Sequence, residues 1–143
     1  MSAPPNLFLV RPEDLAAAWP KVSPWLASMA NTSKGKFSLE SIAVAIATGQ
    51  WQLWAYAPAG AVKACYVGRI LEFPHKRVYE PIALAGADML ADRAEWLAIL
   101  AFIEDWARAE GCQAMQVLGA PGFERFAASC GYAKTHVMLE KEL

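Results

Sequence analysis

Histidine, cysteine and clustered charge are all scarce in this 143-residue chain, and each scarcity removes a class of chemistry. There are two histidines, His75 and His136, far apart in sequence. A zinc site takes several His or Cys ligands, so none is expected. The three cysteines, Cys65, Cys112 and Cys130, form no CxxC pair. Their odd number argues against a disulfide framework and places the chain in a reducing cytoplasm. Net charge is −1 and no run of Lys or Arg occurs, so the electrostatic footprint of a nucleic-acid partner is missing. No apolar stretch reaches the length of a membrane span. Met1 to Val10 has neither a basic n-region nor a long apolar h-region, so no signal peptide is expected.

Apolar mass is abundant. Apolar residues make up 56% of the chain and charged residues 19%, a globular composition at a length that fits one domain over 1–143. Six tryptophans, at 19, 25, 51, 54, 96 and 106, fall inside segments that read as helix or strand and predict a large aromatic core.

Leu7 to Arg11 reads as a first strand. Pro12, Glu13 and Asp14 suit a helix N-terminus, and Leu15, Trp19, Val22 and Leu26 continue the helical spacing. Pro20 and Pro24 are expected to break or restart that helix. Ser38 is a candidate N-cap, with Phe37 and Ile42 placed to form a hydrophobic staple. Three strands should follow, over 51–57, 62–73 and 77–85, joined by short turns and therefore antiparallel. Residues 92–110 form the clearest helix, with Trp96, Ile99, Leu100, Ile103 and Trp106 on one stripe. A short strand over 114–118, a helix from Pro121 through Ser129 and a final strand over 135–142 complete the order β-α-α-β-β-β-α-β-α-β. The fold class is therefore mixed α/β (α+β): a mostly antiparallel central sheet with helices on both faces.

That order resembles the GNAT (N-acetyltransferase) superfamily. The run Trp106-Ala107-Arg108-Ala109-Glu110-Gly111-Cys112 resembles the end of the superfamily's central helix, WAxxxGC. Gly131-Tyr132 followed by Leu139-Glu140-Lys141-Glu142-Leu143 resembles its usual ending. The segment 38–54 and the turn Gly119-Ala120-Pro121-Gly122-Phe123 are similar to small GNAT-like proteins of phage and prophage genomes. The resemblance implies an acetyl-CoA loop before the central helix, whose glycines let backbone amides reach a pyrophosphate. Those six positions fall on Ala91 to Trp96 and contain no glycine. The cofactor-binding positions are thus Asp92, Arg93 and Ala94 of a degenerate loop. Asp92 with Glu95 reads as a capping box that would consume the free amides. Gly86, just upstream, could serve a shifted loop.

The resemblance further implies a tyrosine acid in the last helix, where this chain has Ala127, and an asparagine opening the same motif, where it has Ala120. Tyr132 occupies the aromatic position of the ending and is expected in the core. A general base on the fourth strand falls on Glu80, and Pro81 beside it would mark the point where such sheets splay. His75 is expected to be exposed, and Cys130 to be a buried filler.

Three functional readings follow. The leading one is a GNAT-like binding module, weak or inactive in acetyl-CoA-dependent transfer, with no resident cofactor and an unknown protein partner. The second is an active N-acyltransferase carrying acetyl from acetyl-CoA to an unknown amine, with Glu80 as base; Glu80→Gln would then lose rate with little loss of fold. The third is a phage-type structural or assembly protein, a homo-oligomer through exposed aromatics of Trp51 to Tyr56. Trp96 is expected to fill or underlie the pyrophosphate space, with Asp92 capping the helix through the amide of Ala94 or Glu95.

Overall fold

Alternation along one strand sets the architecture. In β2 (Trp51–Tyr56), Leu53 and Ala55 turn to one side of the sheet and Trp54 and Tyr56 to the other, as a period of two residues requires. The computed structural model describes residues 6–86, 92–119 and 122–143. On the first side, Leu53 and Ala55 meet Val22 and Leu26 of α1 (Leu15–Thr32) and Ile42 and Ile46 of α2 (Leu39–Ala47). On the second, Trp54 and Tyr56 meet Trp96, Ile99 and Ile103 of α3 (Arg93–Ala109). Two separate cores thus lie on the two faces of one sheet, the layering expected of this fold class.

The sheet also contains β1 (Leu7–Leu9), β3 (Ala64–Phe73), β4 (Lys76–Gly86) and β5 (Ala114–Met115), in the spatial order β1-β2-β3-β4-β5. The first four pair antiparallel, and β5 runs parallel to β4 after the α3 crossover. The β3–β4 ladder carries a bulge: Val67 faces Ala83 and Gly68 faces Pro81, so Ile82 is the extra residue. Pro81 therefore sits at an interruption of the ladder, where its missing N–H breaks no regular rung. A short helix α4 (Glu124–Ser129) follows β5.

Local chemistry explains the helix ends. Ser38 Oγ accepts from the Ser41 amide at 3.0 Å and Ser41 Oγ accepts from the Ser38 amide at 3.0 Å, a reciprocal capping box. Phe37, just before it, packs on the core that holds Ile42.

Several expectations change. Pro20 and Pro24 do not break α1, which runs unbroken from Leu15 to Thr32. Both prolines lie on its exposed face, four residues apart, where water can satisfy the carbonyls deprived of a donor. The strand expected over 114–118 is paired only at Ala114–Met115. Residues 135–142 form no ladder, and Val137, Met138 and Leu139 are exposed. That segment is tied to the α1–α2 connection by an ion pair of 3.1 Å between Glu140 and Lys36. The expected start of the last helix at Pro121 lies outside the described residues, as do Ala91 and Ala120. The strip from Trp51 to Tyr56 is neither an edge nor exposed: β2 lies between β1 and β3, and Leu53, Trp54, Ala55 and Tyr56 are buried. Among the described residues no helix is long and apolar enough to cross a membrane.

Candidate functional site

The parallel pairing of β4 with β5 is brief. Val78 faces Ala114 and Tyr79 faces Met115, and the Gln116 amide donates to the Tyr79 carbonyl at 3.0 Å. Beyond that bond β4 meets Glu80, Pro81 and the bulge, and the strands part. The gap is a cleft of about 190 Å³. Its floor is the bulged stretch of β4 with Tyr66 of β3. Its walls are Leu100 and Glu104 of α3 on one side, and Phe126 and Ala127 of α4 with Tyr132 on the other. The opening follows from the sequence: a proline and an extra residue remove regular donors from β4 where β5 would otherwise continue.

Gly119 shapes the end of this cleft. A Cβ there would collide with Phe123 Cδ1, so the absent side chain is what lets the ring lie against the backbone. Phe123 in turn packs at 5.6 Å from Phe126. Phe123, the aromatic that ends the run 119–123, thus supplies an aromatic wall.

Tyr66, Glu104 and Tyr132 face this apolar space. Burial pushes the Tyr66 hydroxyl well above its usual range, with Tyr132, Tyr79 and Glu104 adding to the shift. Burial, with the Glu104 charge beside it, pushes Tyr132 up to about 12. Both therefore stand as neutral hydroxyls at neutral pH. Burial also raises the Glu104 carboxyl; Arg108 opposes the shift and Asp105 adds to it. Tyr132, expected in the core, instead lines the cleft. Ala127 is buried in the cleft wall, so the helix position where the resemblance implies a tyrosine offers only a methyl. Tyr66 and Glu104 were not singled out from sequence. Tyr66 was visible as the partner of Trp54 on the alternating face of β3. Glu104 was visible one turn after Leu100 on the α3 stripe.

The first turn of α3 is closed. Asp92 Oδ1 accepts from the Glu95 amide at 3.1 Å, as expected of an N-cap. Glu95 does not complete the box; its carboxylate turns to Lys63 at 3.6 Å. Trp96 is buried beneath this turn against Ile99 and Tyr56. The space left among Lys63, Asp92, Glu95 and Trp96 is about 10 Å³, room for about one water. Arg93 and Ala94 are exposed at the helix start. Gly86 is the last rung of β4, paired with Ala64.

Glu80 lies on the opposite face of the sheet from Tyr79, and it is buried. Its Oε1 accepts from Arg69 Nε at 2.9 Å and lies 2.8 Å from Nη2; its Oε2 accepts from Gln116 Nε2 at 2.9 Å. Arg69 also lies over the Trp51 ring, 6.0 Å from its centroid. Trp51, Arg69 and Glu80 are direct cross-strand neighbours, so a single transverse row spans β2, β3 and β4. His75 and His136 are exposed, and Cys130 borders the cleft. Among the described residues no group of His, Cys, Asp and Glu could hold a metal ion. The structure therefore brings together Tyr66, Glu104 and Tyr132 at the cleft. Glu80 stands on the sheet's other face, and Asp92, Arg93 and Ala94 at the start of α3.

No protein-family model matches the chain, and no curated protein matches it. Solved structures do. An aminoglycoside acetyltransferase from an uncultured soil metagenomic sample, in complex with sisomicin, superposes with a TM-score of 0.73 at 12% identity, over 96% of this chain and 95% of its own. The predicted acetyltransferase of Clostridium acetobutylicum, solved with acetyl-CoA, gives 0.71 at 12% identity over 96% and 95%. An acetyltransferase of Trypanosoma brucei gives 0.65 at 13% identity over 96% and 98%. The chain has the fold of the GNAT acetyltransferases across nearly its whole length.

Proposed function

We propose that this protein is a GNAT-fold binding module that takes its ligand in the cleft between β4 and β5 and does not carry out acetyl-CoA-dependent transfer. One observation supports this above the others: the α3 amide that a phosphate oxygen would take is already bonded to Asp92 Oδ1. A pyrophosphate there would have to displace a carboxylate cap and lie beside the Asp92 and Glu95 charges, which repel it. Trp96 beneath the turn leaves no room for a deeper approach. The cleft that in such a fold would receive the rest of the cofactor is nevertheless open. An apolar, partly enclosed cavity with few polar groups is the usual form of a small-ligand site.

An N-acyltransferase acting on an amine is the second reading, with Glu80 as base and Asp92, Arg93 and Ala94 at the cofactor. It is supported by the place of Glu80 on β4, directly after the last residue paired with β5. Against it, both Glu80 oxygens are engaged, by Arg69 and by Gln116. A phage-type assembly role loses the exposed aromatic strip that motivated it.

Calorimetric titration with acetyl-CoA tests the proposal. No heat of binding is expected up to the millimolar range; micromolar binding would overturn it.

A further inference from the structure

Exposed apolar side chains gather just past β5 and in the segment 135–142. Leu118, Val137, Met138 and Leu139 are each more than half exposed. Large apolar residues concentrated in this way mark an interaction surface, whereas single ones scattered over a surface do not.

The segment has the make-up of a strand. Thr135, Val137, Leu139 and Lys141 alternate with His136, Met138, Glu140 and Glu142, and it contains neither proline nor glycine. It nevertheless joins no ladder. Among the described residues one ion pair, Lys36 to Glu140 at 3.1 Å, ties it to the rest of the chain. Both partners are open to water, and such a tie is weak.

The sheet has a matching vacancy. β5 is its last strand, and the outer edge of β5 pairs with nothing among the described residues. Proteins commonly guard an open edge with charge or proline. Residues 114–118 are Ala, Met, Gln, Val and Leu, with neither. An unguarded edge and an unpaired strand thus occur in one chain, and the chain by itself leaves both unfilled. Two copies related by a twofold axis fill both at once, because the contact made by one copy is repeated by the other.

We propose that the outer edge of β5 is a docking surface for a second copy of this chain, each copy laying its segment 135–142 along residues 114–118 of the other. In such strand addition the main chain supplies affinity and alternate side chains supply register. Val137 and Leu139 share one side of the segment and provide the apolar surface to be buried. The outer edge is the one turned away from β4, so this contact stands whether or not the cleft takes a ligand.

The test passes the full chain over size-exclusion chromatography with light scattering, from low micromolar to about millimolar concentration. A mass of two chains is expected at the upper end, falling to one on dilution. Val137→Lys combined with Leu139→Lys alters two exposed side chains, so the fold should be kept, as far-UV circular dichroism will show. This double variant should associate about 100-fold more weakly or worse. Hydrogen exchange gives a second reading. The amides of 114–118 and 135–142 should slow together as concentration rises in the unaltered chain, and should not in the variant. A single-chain mass at every concentration overturns the proposal, as does a two-chain mass that the double variant retains. Protection of both segments that is independent of concentration means that the segment pairs within its own chain, and equally overturns it.

Discussion

Replacing Gly68 by alanine should destabilise the protein far more than a surface glycine substitution would. The added Cβ would stand 2.5 Å from Tyr79 Cζ and 2.6 Å from both Cε2 and the hydroxyl oxygen, well inside the 3.5–4.0 Å at which carbon atoms rest. Tyr79 cannot retreat. It is fully buried, its ring centroid lies 5.3 Å from that of Trp106, and its hydroxyl accepts from Trp54 Nε1 at 3.3 Å. Forcing a methyl into such packing costs about 1–3 kcal/mol. Leaving the buried indole N–H without its partner adds about 1 kcal/mol. The sum is about 2–4 kcal/mol. Urea unfolding followed by tryptophan fluorescence measures it, with the slope of the transition unchanged. The cause is tested in a Tyr79→Leu background, where the clashing ring atoms are gone and the same Gly68→Ala change should cost about 1 kcal/mol or less. A single-variant loss below about 0.5 kcal/mol, or an undiminished loss in the Tyr79→Leu background, would refute the reasoning.

Trp96→Gly should lower stability by about 3 kcal/mol or more, read by thermal melting, because a large side chain is removed beneath the first turn of α3; it should gain no acetyl-CoA binding, since Asp92 still caps the helix. Glu80→Gln leaves the Arg69 guanidinium short of its counter-charge and should cost about 2 kcal/mol in denaturant unfolding, below the range for a fully buried pair because Arg69 keeps access to water. A loss of rate without a loss of stability in that variant would instead favour the base role. The raised Glu104 carboxyl gives a pH signature. Below the usual carboxylate range the group is protonated in folded and unfolded chains alike. From there up to its raised folded value only the folded chain holds the proton, so stability falls as pH rises through that window and stays lower above it. Tyr66 and Tyr132 stay neutral there, so the melting-temperature profile of Glu104→Gln should lack that fall while sharing the rest.

The elements were legible where local rules and packing agree. The α3 stripe from Trp96 to Trp106 buries as its spacing requires, the Ser38 cap forms, and the antiparallel meander from β2 to β4 follows from its short turns. Proline in α1 misled because helix propensity is judged residue by residue, whereas the burial of Val22 and Leu26 holds the helix through both prolines. The alternating pattern at 135–142 predicted a strand, yet a strand exists only with a partner, and pattern alone does not provide one. The closed α3 turn could be read directly, because the absence of glycine over 91–96 and the presence of Asp92 are local facts. The cleft could not. Tyr66, Glu104 and Tyr132 are separated by tens of residues, and only the splay after Tyr79 brings them together. Glu80 was recognised, but its two partners lie on other strands, 11 and 36 residues away.

The short seam between β4 and β5 also sets how the molecule opens. The Gln113 amide donates to the Arg77 carbonyl at 2.8 Å and the Gln116 amide to the Tyr79 carbonyl at 3.0 Å; between them the ladder pairs just Val78 with Ala114 and Tyr79 with Met115 among the described residues. A seam of so few rungs can part while both cores stay packed, so the amides of 114–116 should exchange with solvent through local openings. Those of the β2–β3 ladder should wait for global unfolding. The briefly paired strand also lines the cleft, through Met115. Whatever occupies the cleft therefore clamps that strand, and occupancy would be recorded as slowed exchange along β5 before it is visible as any change of shape.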